Sequence, residues 1–473
     1  MSCITEQRVE IKEQFELKTA VKFGTGQFAD IITYQTFFFW IFTFYYTIVI
    51  KNSILIGIAF IIWSVWNAFN DPLLGYLSDR THTRWGRRIP WMITAIIPLS
   101  LVMFLLFTPP ITFGITSTTI NFIYFFIIII IFEFFYTMFS LNQTSLFPEQ
   151  FIDGVVRGKV NSIRQMYTVV GLVVASILPS FFFTGDPMTE ESLPNWSIFS
   201  IVLAMLTFIF GFFFIKWAAR EKVEFKEDYK EAPSFFKAIK LCVKSKSFRW
   251  YIPAEICNWF VYGILPTVTP LYGRYVLGIE AESFELSILL GIIFISAAIF
   301  VNLWRWVAKK IGSRKAWMSS LAVWIITLIP FLFISSFVEG LFAFFIMGIG
   351  LAGSFVLIDL IVSDIIDEDE VNTGIRREAA YYGVNALFMR FSTVFVFLAV
   401  GFVFAGFGWE EYEPLINDPA ALAMALKILM AILPVIAIII AILSLYKYPL
   451  YGEKLKKVRE KLKEIHEQKK SKI

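Results

Sequence analysis

Three polar side chains stand together in an otherwise apolar part of the chain. Asn67, Asn70 and Asp71 are spaced i, i+3 and i+4, so a helix would place them on one face. Oxygen atoms gathered on one face suit a hard cation, and a single carboxylate among them can instead take up a proton. The spacing predicts a cation-coupling face. The alternative is that Asp71 only caps or braces the end of its helix.

Other ionisable residues also lie within apolar stretches. A charge at bilayer depth costs at least ~2.5–3.5 kcal/mol on insertion scales, so each one is a candidate for function. They are Asp30, Glu133, Arg164, Glu255, Asp359, Asp364 and Arg390. The role of Glu255 is open between a binding site, a gate and pure structure. The role of Asp359 is also open, and we expect Arg390 to face it across a central cavity.

The elements that carry these residues must lie in a membrane. The chain has 473 residues, of which 57% are hydrophobic and 17% charged, and its mean hydropathy is +0.68. Soluble chains are about 45–50% apolar and about 25% charged. The composition excludes a soluble enzyme, a disordered chain and a disulfide scaffold, and it predicts an all-α membrane protein. Cys3, Cys242 and Cys257 lack the spacing of a metal site, so no metal is predicted.

Twelve apolar stretches are long enough to be transmembrane helices, since about 20 residues cross a hydrocarbon core of about 30 Å. They are 24–50, 54–77, 89–108, 120–146, 161–183, 196–217, 249–276, 284–307, 315–335, 340–365, 380–406 and 421–446. With Arg390 and Lys427 counted inside spans, 38 Lys and Arg residues fall on one side and two, Lys51 and Arg274, on the other. Because positive loops stay in the cytoplasm, both termini are predicted to be cytoplasmic in a multi-pass cell-membrane protein.

The spans divide into two groups of six. The predicted parts are an N-terminal segment (1–23), a six-helix bundle (24–217), a cytoplasmic central loop (218–248), a second six-helix bundle (249–446) and a basic cytoplasmic tail (447–473). Gly86–Trp91 reads GRRIPW, and Gly312–Trp317 reads GSRKAW at a similar place in the second group. Two parallel six-helix repeats are one known transporter architecture.

Three motifs carry a resemblance to a known family. Asn70–Trp91 reads NDPLLGYLSDRTHTRWGRRIPW, Asp364–Gly383 reads DIIDEDEVNTGIRREAAYYG, and Ser145–Glu149 reads SLFPE. They resemble the glycoside–pentoside–hexuronide:cation symporters, the melibiose-permease-like branch of the major facilitator superfamily, over about residues 20–450. The resemblance implies an alternating-access transporter that moves a sugar or glycoside together with a proton or a sodium ion.

The resemblance also implies a sugar site in the first bundle. Asp30 matches an acidic residue of helix 1 that binds sugar hydroxyls, and Tyr34 follows it by one turn. Ser140 stands where melibiose-type members carry an aspartate, and Glu133, two turns earlier, is a candidate substitute. Arg164 matches an arginine of helix 5, with Asp30 or Glu133 as its expected partner.

The coupling ion and the gate follow from the same motifs. Sodium-using members are typically acidic at the position of Asn67, so a proton is favoured over sodium at Asp71. Charges at the cytoplasmic ends of the helices are expected to pair across the two halves when that side closes. These gating residues are Asp79, Arg80, Arg84, Arg87, Arg88, Asp364, Asp367, Arg376 and Arg377. The alternative is that the arginines bind lipid headgroups.

The predicted function is a sugar or glycoside:cation symporter. A transporter of lysophospholipid or another amphiphile, and a sensor that does not transport, are the alternatives. An enzyme is not expected, since His82 and His466 are the only histidines and no nucleophile set accompanies them. The expected partners are a small-molecule substrate and the lipid bilayer, without nucleic acid. We expect a monomer and no cofactor beyond the coupling H⁺ or Na⁺.

Overall fold

The fold is described from a computed structural model of the chain. It describes residues 15–81, 83–151, 154–183, 185–221, 235–280, 284–373 and 378–471. Of the residues named above, Cys3, His82, Arg376 and Arg377 lie outside this description, as do the side chains of Asp79 and His466.

The described residues form α-helices and short helical turns, and the pairings of extended residues among them are isolated bridges. The first helices are α1 (Leu17–Phe44), α2 (Ser53–Asp79), α3 (Ile89–Leu106), α4 (Thr118–Gln150), α5 (Gly154–Ile177), α6 (Leu193–Trp217) and α7 (Phe235–Lys244). They are followed by α8 (Lys246–Tyr275), α9 (Glu285–Ile311), α10 (Ser313–Leu328), α11 (Phe337–Thr373), α12 (Glu378–Gly406), α13 (Pro419–Lys427), α14 (Leu433–Lys447) and α15 (Gly452–Ser471). A π-helical turn, Ile428–Ile432, joins α13 to α14.

Ten helical segments among the described residues are long and apolar enough to cross a membrane. The predicted first and seventh spans coincide with α1 and α8, which are long but more polar; α8 also contains three prolines. The all-α membrane fold is therefore confirmed, whereas the count of twelve spans stays a prediction. The predicted central loop is partly helical, since it contains α7 and the start of α8.

Side-chain caps fix the starts of several helices. The Asn52 side chain accepts a hydrogen bond from the Leu55 N–H at 2.9 Å and begins α2. Ser245 accepts from the Phe248 N–H and begins α8. Each cap satisfies a backbone donor that the helix leaves unpaired. The two helices that carry Asp71 and Glu255 therefore begin at positions set by the sequence.

The helices pack as two sets that meet along three pairs. The first set contains α1 to α6 and the second α8 to α14. The pairs α1 with α8, α2 with α12 and α5 with α9 join the sets. At the α2–α12 contact, the rings of Phe60 and Phe397 stack with centroids 3.8 Å apart. The polar candidates on α1, α2 and α12 thus lie at or near the boundary between the two sets.

The sets are tied together at the face that carries the turns after α1, α5, α8 and α12, which we call the distal face. Arg274 pairs with Asp186 at 2.7 Å. The Tyr46 hydroxyl donates to the Trp409 carbonyl at 2.5 Å. The Tyr412 N–H donates to the Lys51 carbonyl at 2.8 Å. This conformation is therefore closed at the distal face.

Close backbone approach between α10 and α11 depends on Gly350. A Cβ atom placed on Gly350 would lie 2.6 Å from the Cα atom of Trp324. Only a residue without a side chain allows this approach, as is common where membrane helices pack.

We expect Gly350→Ala to lower the free energy of unfolding by about 1–3 kcal/mol, because the backbone of α10 must move to admit the methyl group. Thermal unfolding of the detergent-solubilised protein measures this effect. The matched control is Gly401→Ala on α12, where nothing lies within 4 Å of the added Cβ. Equal unfolding temperatures for the two variants would contradict this account of the packing.

Candidate functional site

An ion pair joins the two helical sets at Asp71, the last of the three polar residues on the predicted face of α2. Nη2 of Arg390 on α12 lies 3.2 Å from Oδ2 of Asp71. Nη1 of Arg390 donates to the hydroxyl oxygen of Tyr34 on α1 at 3.1 Å. The Ser64 hydroxyl donates to the Arg390 carbonyl at 2.7 Å, which fixes the height of α12 against α2. Arg390 thus holds side chains of α1 and α2 from the opposite set.

A hydroxyl group connects this pair to a second carboxyl. Thr137 Oγ1 on α4 lies 2.9 Å from Asp71 Oδ1 and 3.2 Å from Glu133 Oε1. Glu133 is fully buried, and its Oε2 has no partner among the described residues. We call Tyr34, Asp71, Glu133, Thr137 and Arg390 the ion cluster.

The two contacts of the Thr137 hydroxyl can both be hydrogen bonds only if one of the two carboxyl groups carries a proton. A hydroxyl has one hydrogen to donate, so it can serve only one of two ionised carboxylates. The second contact becomes a hydrogen bond when Asp71 or Glu133 is protonated and donates to the Thr137 oxygen. One proton also balances the charge, since two carboxylates and one guanidinium otherwise leave a buried negative charge. The ion cluster is therefore suited to bind and release one proton.

The two asparagines of the predicted coupling face are fully buried. Nδ2 of Asn70 donates to the Glu133 carbonyl at 3.2 Å. The amide oxygens of Asn67 and Asn70 lack partners among the described residues. The spacing thus brought Asn70 and Asp71 together against α4, as one helix face requires. Their role in coupling stays a prediction.

The predicted sugar residues adjoin the ion cluster. Asp30 is 7% exposed, and Ser140 and Tyr136 of α4 lie beside its carboxyl group. The Tyr136 ring stacks on Tyr34 with centroids 4.8 Å apart. The Asp30 carboxyl group, the Ser140 hydroxyl and the rings of Tyr136 and Tyr34 are therefore neighbours, and they adjoin the arginine that binds Asp71.

The prediction that Arg164 pairs with Asp30 or Glu133 is wrong. Its guanidinium donates to Gln27 Oε1, with Nη2 at 2.5 Å, and not to Asp30 or Glu133. It also lies over the Phe147 ring, 4.3 Å from the centroid. Because Phe147 holds the guanidinium near the end of α4, Arg164 reaches the α1 residue one turn before Asp30.

The gating arginines of the α2–α3 loop have partners in their own set. Arg87 and Arg88 both donate to Glu149 Oε1, at 2.7 and 2.6 Å. The Glu221 carboxylate accepts from the N–H groups of Arg87, Arg88 and Ile89 at the start of α3. Arg84 lies over the Trp85 ring. Arg80 is the exposed C-cap of α2.

The acidic gating residues lie at the end of α11. Asp364 pairs with Arg459 of α15 at 2.8 Å and accepts from the Ser313 hydroxyl. Asp367 is half-buried one turn further along. In this conformation Asp364 pairs with α15, and Arg87 and Arg88 pair with α4, whereas the pairing across the two halves was expected for the state that is closed on the cytoplasmic side. A gating role for these residues remains a prediction.

The remaining intramembrane charges do not pair as expected. Arg390 contacts Asp71 and not Asp359, because α12 packs against α2 at this level. Asp359 is exposed on α11. Glu255 is fully buried, and its Oε1 accepts from Trp259 Nε1 at 2.8 Å and Asn385 Nδ2 at 3.2 Å.

Several contact residues were missed from the sequence. Thr137 follows Glu133 by one turn and precedes Ser140, so its position on the polar face of α4 was visible in the spacing. Tyr136 and Gln27 carry no comparable signal, because Tyr136 is one of many aromatic residues of the chain and Gln27 has no charge to mark it. Asn385 is recognisable only once α8 and α12 are known to be neighbours.

Comparison with known proteins gives the class and then the family. A solved structure of the nucleoside transporter NupG superposes with a TM-score of 0.68 at 14% identity, covering 91% of this chain and 100% of that one. The two chains share a fold, and the apolar helices described above make this chain a multi-pass membrane protein. A sequence profile described as MFS/sugar transport protein matches residues 22–452. The chain belongs to this family, which confirms the resemblance and the expectation that it is not an enzyme.

Two relatives differ in what their names say they carry. The isoprimeverose transporter of Lactiplantibacillus pentosus is 24% identical over 413 aligned residues, covering 83% of this chain and 79% of the relative. The sodium-dependent lysophosphatidylcholine symporter 1 of Gallus gallus is 22% identical, covering 99% of this chain and 93% of the relative. A small-molecule substrate follows from the family, and its class is a separate question.

The Asp71–Arg390 pair should show strong energetic coupling. Asp71→Asn and Arg390→Gln are each expected to destabilise the protein by up to about 3 kcal/mol, since each leaves one charge largely buried without its partner. The double variant should be less destabilised than the sum of the two. Thermal unfolding in detergent of the four proteins measures the coupling.

The control cycle uses Lys51→Gln and Glu190→Gln on the distal face. This pair is 2.7 Å apart, but its side chains are 43% and 53% exposed, so the coupling should stay below about 1 kcal/mol. Additive effects at Asp71 and Arg390 would show that the ion pair does not hold the two sets together.

Proposed function

We propose that the protein is a proton-coupled sugar or glycoside symporter that works by alternating access. The observation that carries the proposal is the ion cluster: a guanidinium from one set bound to a carboxyl of the other, with a second buried carboxyl beside it. The net charge of the ion cluster changes by one unit when it binds or releases a proton. Its contacts also cross the boundary between the two helical sets, which must rearrange when the sets rock.

Proton binding would change how strongly the carboxyl groups of the ion cluster attract Arg390. With Asp71 and Glu133 both ionised, the cluster carries a net negative charge; with one proton it is neutral. Moving a neutral cluster between two environments avoids the cost of carrying an unbalanced charge through the low-dielectric interior. The proton is therefore assigned to Asp71 and Glu133, with Thr137 as the bridge between them.

The substrate would act on the same cluster through Tyr34. The Tyr34 hydroxyl accepts from Arg390, and its ring stacks on Tyr136, which adjoins Asp30. A sugar bound by Asp30 and Ser140 against these rings would fix Tyr34 and hence Arg390. Such coupling is reciprocal, so protons should raise sugar affinity by the factor by which sugar raises proton affinity.

A sugar is favoured by the polar groups of the first set. Carboxylate, hydroxyl, amide and guanidinium groups at Asp30, Ser140, Gln27 and Arg164 match the hydroxyls of a glycoside. The resemblance to an isoprimeverose transporter agrees with this choice of substrate class.

Sodium is the competing coupling ion. The unpartnered amide oxygens of Asn67 and Asn70 are ligands that sodium would accept. Arg390 already places a fixed positive charge beside Asp71, which disfavours any further cation on that carboxylate, but a proton can bind instead at Glu133, on the other side of Thr137. This contact is the reason for choosing the proton.

An amphiphile transporter is the second candidate. A narrow cleft in the second set is lined almost entirely by apolar side chains, including Leu290, Ile293, Phe344, Met347 and Leu351. Such a lining suits an acyl chain better than a sugar. The relatives named as lysophosphatidylcholine symporters give this candidate its weight.

The test is uptake by proteoliposomes under an inward proton gradient without sodium. A panel of labelled mono- and disaccharides and glycosides is compared with labelled lysophosphatidylcholine. We expect one sugar class to accumulate at least about tenfold for each pH unit of gradient, the ratio that a single coupled proton supplies. Accumulation of the lipid alone, or accumulation only with sodium, would overturn the substrate or the ion respectively.

Glu133→Gln separates coupling from binding. Because the variant cannot exchange the proton, we expect it to lose gradient-driven accumulation while still exchanging labelled for unlabelled substrate across the membrane. Glu190→Gln, at an exposed carboxylate of the distal face, is the matched control and should transport normally. Full accumulation by Glu133→Gln would remove Glu133 from the coupling mechanism.

A further inference from the structure

A second buried carboxyl cluster lies in the other helical set, away from the residues used above. Glu255 on α8 is fully buried. Its Oε1 accepts two hydrogen bonds, from Trp259 and Asn385, whereas its Oε2 has no partner. The Tyr251 hydroxyl and the Asn385 amide oxygen, which adjoin it, also lack partners among the described residues.

This uneven set of contacts fits a neutral carboxyl group. A protonated carboxyl has one carbonyl oxygen that accepts and one O–H group that donates. Oε1 with its two donors matches the carbonyl oxygen. The Tyr251 hydroxyl oxygen and the Asn385 amide oxygen lie beside the carboxyl group, and either can accept an O–H hydrogen bond from it. An ionised Glu255 would be a fully buried charge without a cation beside it among the described residues, and the hydrogen bond that the Tyr251 hydroxyl can donate to it does not offset that cost.

The charges around Glu255 support the same protonation. The titratable groups nearby are Tyr251 of the same helix and Asp359 of α11. On α12, Tyr381 precedes Asn385 by one turn and is also buried. No cationic side chain contacts Glu255 in the part of the chain that the structure describes. A buried carboxylate without a counter-ion is expected to take up a proton.

Asp359 is the neighbouring carboxyl group that has exposed surface. It is exposed and close enough to Glu255 to act on it electrostatically. An exposed carboxylate exchanges protons readily with solvent, whereas Glu255 has no exposed atoms of its own. We propose that Glu255 is a second proton-binding site of this protein, loaded and unloaded through Asp359.

The number of protons that accompany each substrate molecule is a consequence that rests on the proposed function. The protonation of Glu255 itself does not depend on the proposed function. Helix α12 carries Asn385 at this site and Arg390 at the ion cluster, five residues apart. A change of protonation at either site therefore changes a contact of the same helix. If both sites load in each cycle, two protons accompany each substrate molecule.

The first experiment is infrared difference spectroscopy of the full-length protein in lipid, between acidic and alkaline buffer and without substrate. We expect carbonyl bands from two buried protonated carboxyls. Glu255→Gln should remove one band, and Glu133→Gln should remove the other. Retention of the Glu133 band in Glu255→Gln shows that the variant is folded. An unchanged spectrum of folded Glu255→Gln would overturn the proposal, as would displacement of its proton by sodium at constant pH.

Asp359→Asn tests the proposed path. The band of Glu255 should remain, but its appearance after a pH jump should slow at least about tenfold. An unchanged rate would remove Asp359 from the path. Glu255→Asp, which keeps the carboxyl, should retain a shifted band.

The transport stoichiometry is tested separately, from the membrane potential at which net substrate flux reverses. We expect two protons per substrate in the unmodified protein and one in Glu255→Gln. One proton in both would confine Glu255 to a site that does not take part in coupling. Absence of any flux would count against the proposed function and leave the infrared result standing.

Discussion

A charge in the middle of a membrane protein must be balanced, and this requirement organises the centre of the molecule. Arg390 is the one cationic side chain in the ion cluster, and it contacts Asp71 and Tyr34 directly. Glu133 is connected to Asp71 through the Thr137 hydroxyl. Because Arg390 comes from the second helical set and its partners come from the first, the electrostatic balance and the contact between the sets are the same interaction. A change in the proton content of the cluster is then a change in how firmly the sets adhere.

The second carboxyl site shows a different solution to the same problem. Glu255 has no cation beside it and is held by the N–H groups of Trp259 and Asn385. A neutral hydrogen-bonded group is stable there, whereas an ion is not. Helix α12 contributes a residue to both sites, so a movement of this helix changes the contacts at both.

Hydropathy and spacing predicted the class of fold and the polar face of α2, because both depend on local sequence. The apolar stretches located the helices, but not their ends: α11 continues to Thr373, well past the predicted 365. Hydropathy reports the part of a helix in lipid, whereas backbone hydrogen bonds continue into the polar region. The expectation that Asn70 and Asp71 act together needed only the helical period, and both contact α4.

The pairings between distant helices were not predictable in this way. Arg390 has Asp71 and not Asp359 as its partner, and that choice depends on which helices of the two sets are neighbours, a property no local pattern contains. Arg164 binds Gln27 because Phe147 positions its guanidinium, a contact among three helices. The resemblance to a transporter family supplied the candidates at these sites, but packing determined which of them touch.

The distal face is held shut by ties of two kinds. The Arg274–Asp186 ion pair is about a quarter exposed on each side, whereas the hydrogen bond from Tyr46 to the Trp409 carbonyl is buried. A partly exposed ion pair is weak and is screened over about 8–10 Å at ordinary ionic strength. The salt content of the solution bathing that face therefore acts on the ion pair, and it becomes one of the quantities that set how often the protein opens toward it.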